Sequence, residues 1–175
     1  AKAYILKGDT ERAVGLLQRY VFHSMIGAFA ALPDLMSLYA GDPAKMEACL
    51  RLGLDMGEVI DLKRIQPHHY FSLYLAAASL FMADGRPDRA LDMLEAYTDI
   101  ASDRTIYPLK LRGGDFFDRL EAFYHTQNLG TATPRNEKLI KKDLKEIVLN
   151  NPVFEPLHDD GRFRRIAARL EQLKP

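Results

Sequence analysis

Residues 74–97, YLAAASLFMADGRPDRALDMLEAY, decide how this chain folds. Tyr74, Ala77, Ala78 and Phe81 recur at helical spacing and mark one face of a first helix. Gly85 ends that helix and Pro87 opens a second. Ala90, Leu94 and Tyr97 form the answering stripe. Small side chains at Ala78 and Ala90 let two helices approach closely, and Tyr74, Phe81 and Tyr97 fill the space around that contact. The stretch therefore predicts a helical hairpin. One hairpin cannot bury its own apolar surface, so the rest of the chain must supply neighbours to stack on.

The start of the chain carries the same pattern. Ala1, Tyr4, Gly8, Ala13, Leu17 and Tyr20 match Ala78, Phe81, Gly85, Ala90, Leu94 and Tyr97 at a single offset. Helical periodicity alone does not produce that many coincidences. On this frame Ala1 to Leu6 is the second half of a leading helix, with Gly8 as its stop and Asp9 or Thr10 as the next cap. The opening residue is Ala inside a helical pattern, which reads as a piece of a longer protein. Gly41-Asp42-Pro43 repeats the turn, and Met46 and Leu50 take the places of Ala90 and Leu94. Between these turns, Val21 to Leu32 is strongly apolar and predicts a buried helix. Pro33 is expected to interrupt it, making the middle repeat degenerate.

Further along, Pro43 to Ile60 predicts a helix and Asp61 to Gln66 a connector. Pro67 to Ala83 and Pro87 to Ala101 form the strongest hairpin. Arg104 to Pro108 reads as a loop. Asp115 caps a predicted helix to His125 with Phe116, Phe117, Leu120, Phe123 and Tyr124 as an aromatic face. That face and the one at Phe22 to Phe29 are core or dimer interface. Gln127 to Pro134 is linker-like. Asn136 to Leu149 is amphipathic, with Leu139, Ile140, Leu144, Ile147 and Val148 inward and Lys138, Lys141, Lys142 and Lys145 outward. Arg162 to Leu173 predicts a closing helix. No segment sustains β alternation. The expectation is an all-α single domain over 1–175: stacked antiparallel hairpins over 1–108, then extra C-terminal helices over 109–175.

Composition narrows the function. Lys+Arg and Asp+Glu are both 24, so the formal net charge is zero. Nucleic-acid binding by this chain alone is disfavoured, because phosphate contacts need a basic excess. One cysteine allows no internal disulfide. No uninterrupted apolar run long enough to span a bilayer and no signal peptide are apparent, so a cytoplasmic protein with no membrane partner is expected.

The residues that could carry chemistry read structurally. Adjacent side chains on a helix diverge by about 100°, so His68-His69 does not clamp one metal. Cys49 lies beside Leu50 in an apolar helix with no local histidine base. Asp159-Asp160 fits helix capping better than acid–base work. Gly113-Gly114 has no following Lys-Ser/Thr and is no phosphate loop. Glu137, Asp143 and Glu146 interleave with the lysines of 138–145 and make that face a solvated one. No catalytic, cofactor or metal residue is assigned, and no enzyme is expected. What survives is a groove. In stacked hairpins the leading helices line the concave side, which places Ser72, Leu75, Ser79 and Met82 there. That apolar-plus-hydroxyl lining suits a peptide or protein partner, unless the C-terminal helices fill it.

The large–small–large pattern resembles a tetratricopeptide repeat, a helical hairpin of about 34 residues whose stacking winds a right-handed superhelix. The C-terminal part is similar to one group of bacterial regulators. Gly114, Asp115, Phe116, Phe117 and Leu120 carry that likeness, with Pro134, Arg135, Lys138 and Ile140, then Asn151, Pro152, Phe154, Leu157, Asp160, Arg162 and Phe163. The last group also resembles the closing segment of many other bacterial TPR proteins. The regulators have an N-terminal helix-turn-helix of the Xre type followed by a TPR-like region. The resemblance implies a sensor and dimerisation domain of a transcriptional regulator, binding a peptide or partner as a homodimer. It implies DNA contact only through a domain that these 175 residues do not contain. A stand-alone TPR-like adaptor is the alternative.

Overall fold

Two turns with the same residues adopt the same backbone. Gly8 and Gly85 take φ of +72° and +69°, a left-handed conformation that an L side chain rarely adopts. The N–H after each glycine then closes the preceding helix. Asp9 N–H donates to the Tyr4 carbonyl at 2.9 Å, and Arg86 N–H to the Phe81 carbonyl at 2.8 Å. The recurrence read in the sequence is therefore a recurrence of geometry at these turns. Gly41 is also left-handed, but there Asp42 N–H returns to Tyr39.

The computed structural model describes residues 1–128, 130–132 and 135–173. Their regular structure is helical, with no strand among the described residues beyond one isolated β-bridge. The helices are α1 (Lys2–Leu6), α2 (Thr10–Leu38), α3 (Pro43–Val59), α4 (Leu62–Ile65), α5 (His68–Ala83), α6 (Pro87–Ser102), α7 (Leu120–His125), α8 (Glu137–Leu149) and α9 (Gly161–Glu171). Short 3-10 turns cover Arg104–Ile106 and Pro152–Leu157. Leu129, Thr133 and Pro134 of the expected linker lie outside the described residues.

Helices α5 and α6 fold back on each other as predicted. Ala78, Ala90, Phe81 and Leu94 are fully buried between them, and Tyr97 packs its ring 5.0 Å from Phe71. Helix α2 packs on α3 and on α5. The approach of α3 to α5 depends on missing side chains. A Cβ at Gly53 would sit 2.8 Å from the Leu73 side chain, and one at Gly57 would collide with the Tyr70 ring.

Pro33 does not interrupt α2, contrary to expectation. The helix runs through it for 29 residues. Proline removes one backbone hydrogen bond and costs about 3 kcal/mol in a helix interior. Phe29, Leu32 and Met36 flank it on the buried face of the helix. Their burial, at about 1.5–3 kcal/mol each, offsets the loss. The uninterrupted α2 is also long and apolar, though polar residues such as His23, Ser24 and Asp34 punctuate it. By length and composition it could cross a bilayer, with a mean hydropathy of 1.4 over its most apolar stretch. Phe22, Phe29, Leu32 and Met36 of it are buried against protein, and 22% of that stretch is buried in all.

The aromatic segment is a second correction. No helix starts at Asp115, because its carboxylate pairs with Arg64 at 3.0 Å instead of capping. The Arg119 N–H is taken by Gln18 of α2 at 3.0 Å, and α7 begins only at Leu120. Phe117 is buried edge-on to Phe22 at 5.2 Å, whereas Phe116 is 72% exposed. At the other end, α9 lies on α6. Arg162 reaches Asp92 at 2.7 Å and Glu95 at 2.8 Å, while Arg86 and Arg89 hold Glu47 of α3 at 2.6 and 2.8 Å. These partly exposed pairs fix orientation more than they add stability.

Candidate functional site

The α5–α6 hairpin presents one face of its first helix toward the C-terminal third of the chain. Pro67 closes the connector before α5, and His68, Phe71, Ser72 and Leu75 follow at helical spacing on that face. Opposite stands α8, which contributes Ile140, Leu144 and Ile147. Between them lies a cavity of about 530 Å³. Tyr97 forms part of its wall and fixes its width. The phenol donates to the Leu144 carbonyl at 2.8 Å, pinning α8 to α6. Burial pushes that phenol well above its ordinary pKa, so it stays a protonated donor.

A strap, residues 109–111, also lines the cavity. Lys110 forms a β-bridge with Ala132, and Leu111 N–H donates to the Thr131 carbonyl at 2.9 Å. Beside the strap, Tyr107 donates to the Ala101 carbonyl at 2.9 Å. Burial first, then the charges of Glu137 and Asp103, push Tyr107 to about 12. Lys141 sits over its ring at 4.4 Å.

The polar groups around the cavity are mostly committed. Arg135 pairs with Asp143 at 2.6 Å. Gln66 donates to the Tyr124 hydroxyl at 3.2 Å, and its carbonyl oxygen lies 3.1 Å from His69 Nε2. The rings of His68 and His69 are 4.1 Å apart. Burial lowers both pKa values. Burial and then the charge of His68 bring His69 to about 4, so the pair is neutral at pH 7.

Of the predicted groove residues, the structure places Ser72 and Leu75 on the cavity wall. Ser79 and Met82 lie farther along α5, half-buried, and do not line it. The C-terminal segment forms the opposite wall and leaves the space between open. Sequence reasoning missed the strap, whose Leu109 and Leu111 stand between the predicted loop and the predicted helix at Asp115, where no element was assigned. The α8 contribution was visible as a stripe wider than a single core contact needs. Ile147 remains 48% exposed although the pattern points it inward.

Cys49 is a core residue, 7% exposed. Among the described residues no group of three or more His, Cys, Asp or Glu side chains is placed to hold a metal. Fold and site together define an all-helical protein with an apolar cavity between a hairpin and a C-terminal helix. No family model matches the chain, and neither a characterised protein nor a solved structure matches it.

Proposed function

We propose that this chain is the sensing and dimerisation part of a cytoplasmic transcriptional regulator. Its helices are then TPR-like hairpins stacked as a right-handed superhelix, and a peptide, protein partner or smaller ligand occupies the groove on α5. The chain binds rather than catalyses, and DNA is contacted by a separate helix-turn-helix domain. The observation that carries this reading is the cavity walled by Ser72 and Leu75 on one side and α8 on the other. A space of this size with few uncommitted polar groups suits binding. A second surface supports self-association. Leu6, Leu17 and Tyr20 are 89%, 45% and 73% exposed near the start of the chain. Exposed apolar side chains of this size are candidates for an interaction surface.

A stand-alone adaptor is the second reading, favoured by the zero formal net charge. The sequence encoded ahead of Ala1 separates the two. A helix-turn-helix there, with operator binding by the full-length protein, is the expected result; an open reading frame starting within a few residues of Ala1 overturns the regulator in favour of the adaptor. Sedimentation tests the dimer. A species of twice the 19.9 kDa chain mass is expected, with Tyr20→Asp returning it to a monomer. A monomer at every concentration contradicts it.

A further inference from the structure

We propose that the α5–α8 cavity receives a hydrophobic monocarboxylic acid, with its hydrocarbon tail inside and its carboxylate at the Ser72 and Lys110 mouth. The inference rests on the reading of this cavity as a ligand site and narrows what fills it. At about 530 Å³ the space falls within the roughly 300–1,000 Å³ of cavities that enclose small ligands. Phe71, Leu75, Leu109 and Leu144 are among its apolar lining. Three of the polar side chains in its lining are already engaged: the Tyr97 hydroxyl with the Leu144 carbonyl, the Gln66 amide with Tyr124, and Asp143 with Arg135. A peptide backbone lying inside would bring N–H and C=O groups that find few partners, and an unpaired buried amide is costly. A hydrocarbon tail brings none. It would also cover Ile147, whose side chain is half-exposed beside the cavity.

The mouth selects the head group. Lys110 is exposed, with no carboxylate of a described residue within ion-pair distance. Ser72 is exposed, and its hydroxyl has no hydrogen-bond partner among the described residues. Asp143 is the only carboxylate among the described lining residues, and Arg135 holds it. These exposed lining residues offer a cation and a hydroxyl donor, and no unpaired carboxylate stands among the described lining residues. A carboxylate gains charge-assisted hydrogen bonds there; an alcohol gains less, and an ammonium meets Lys110.

Calorimetry on the 175-residue chain tests this with dodecanoate below its micellar concentration. Dodecan-1-ol, dodecylamine and an acetylated, amidated Leu-Phe-Leu-Phe peptide serve as comparisons. One dodecanoate per chain is expected, bound about tenfold tighter than the alcohol or the amine. Lys110→Glu, at an exposed site, removes that margin with the melting temperature unchanged. Ser72→Trp, also at an exposed site, fills the mouth and abolishes binding. Absence of dodecanoate binding, several copies per chain, an amine as tight as the acid, or insensitivity to both variants overturns the proposal. Tighter binding of the peptide, lost in Ser72→Trp, overturns the acid but keeps the cavity as a ligand site. The regulator reading is judged separately, by what is encoded ahead of Ala1.

Discussion

The α5–α6 hairpin and the hairpin formed by α1 with the first turns of α2 share a sequence pattern and a turn, yet only one of them is core. Leu94 is fully buried and its counterpart Leu17 is 45% exposed; Tyr97 is 1% exposed and Tyr20 is 73% exposed. The turn hydrogen bonds differ by only 0.1 Å. Local sequence thus sets the hairpin, and neighbours set its burial. Helix α5 is flanked by α2, α3 and α6, and α6 carries α9. The first turns of α2 meet α1 and, through Gln18 and Glu11, the Asp118–Arg119 turn.

The sharpest way to break this comparison is a matched pair of truncations. Leu94→Ala opens a cavity in the core and is expected to cost about 2–5 kcal/mol. Leu17→Ala, removing a side chain already partly in water, is expected to cost under about 1 kcal/mol. Urea denaturation of both variants measures the difference, and equal losses would show that the shared pattern, not the packing, sets the energy.

Acid should distinguish the regions next. His69 packs against Phe29 at a ring separation of 6.0 Å, and its folded pKa of about 4 lies below the ordinary value of 6.5. The unfolded chain therefore binds a proton that the folded chain refuses. Stability is complete above about pH 6.5 and falls as the pH drops toward 4. Between pH 7 and pH 5 the expected loss is about 2 kcal/mol. His68 is shifted in the same direction, but its side chain is exposed, so its share is small. Melting curves of the native chain and His69→Gln measure the contribution. If the pH dependence is identical in both, His69 is not the source.

Smaller effects test the two halves of the comparison separately. Gly8→Ala and Gly85→Ala force the same strained φ, so each should cost about 1–2 kcal/mol. Here the two hairpins should agree; a large disagreement would mean that the turns are not equivalent. Tyr97→Phe removes the hydroxyl's bond to the Leu144 carbonyl and should cost about 0.5–1.5 kcal/mol. Tyr20→Phe should cost almost nothing, since no hydrogen bond to its hydroxyl is present among the described residues.

The hairpin boundaries were legible because glycine and proline punctuate them. Helix α6 was predicted to run from Pro87 to Ala101 and ends one residue later, at Ser102. The course of α2 was not legible. Proline is a local signal of interruption, and what overrides it is the burial of Phe29, Leu32 and Met36 against helices distant in sequence. The failed cap at Asp115 has the same origin, since Arg64 lies far from it in the chain. Half of the predicted groove, Ser72 and Leu75, lines the cavity because those residues face α8. The strap from Leu109 to Leu111 carried no periodicity to announce it.

Hydrogen exchange tests the central contrast most directly. Amide exchange would be followed by mass spectrometry in peptides covering residues 1–20 and 77–97 of the same chain. Protection of 77–97 should approach the global unfolding free energy, while 1–20 should exchange through local opening at least about a hundredfold faster. Equal protection of the two hairpins would contradict the view that neighbours, and not the repeated pattern, decide which hairpin is core.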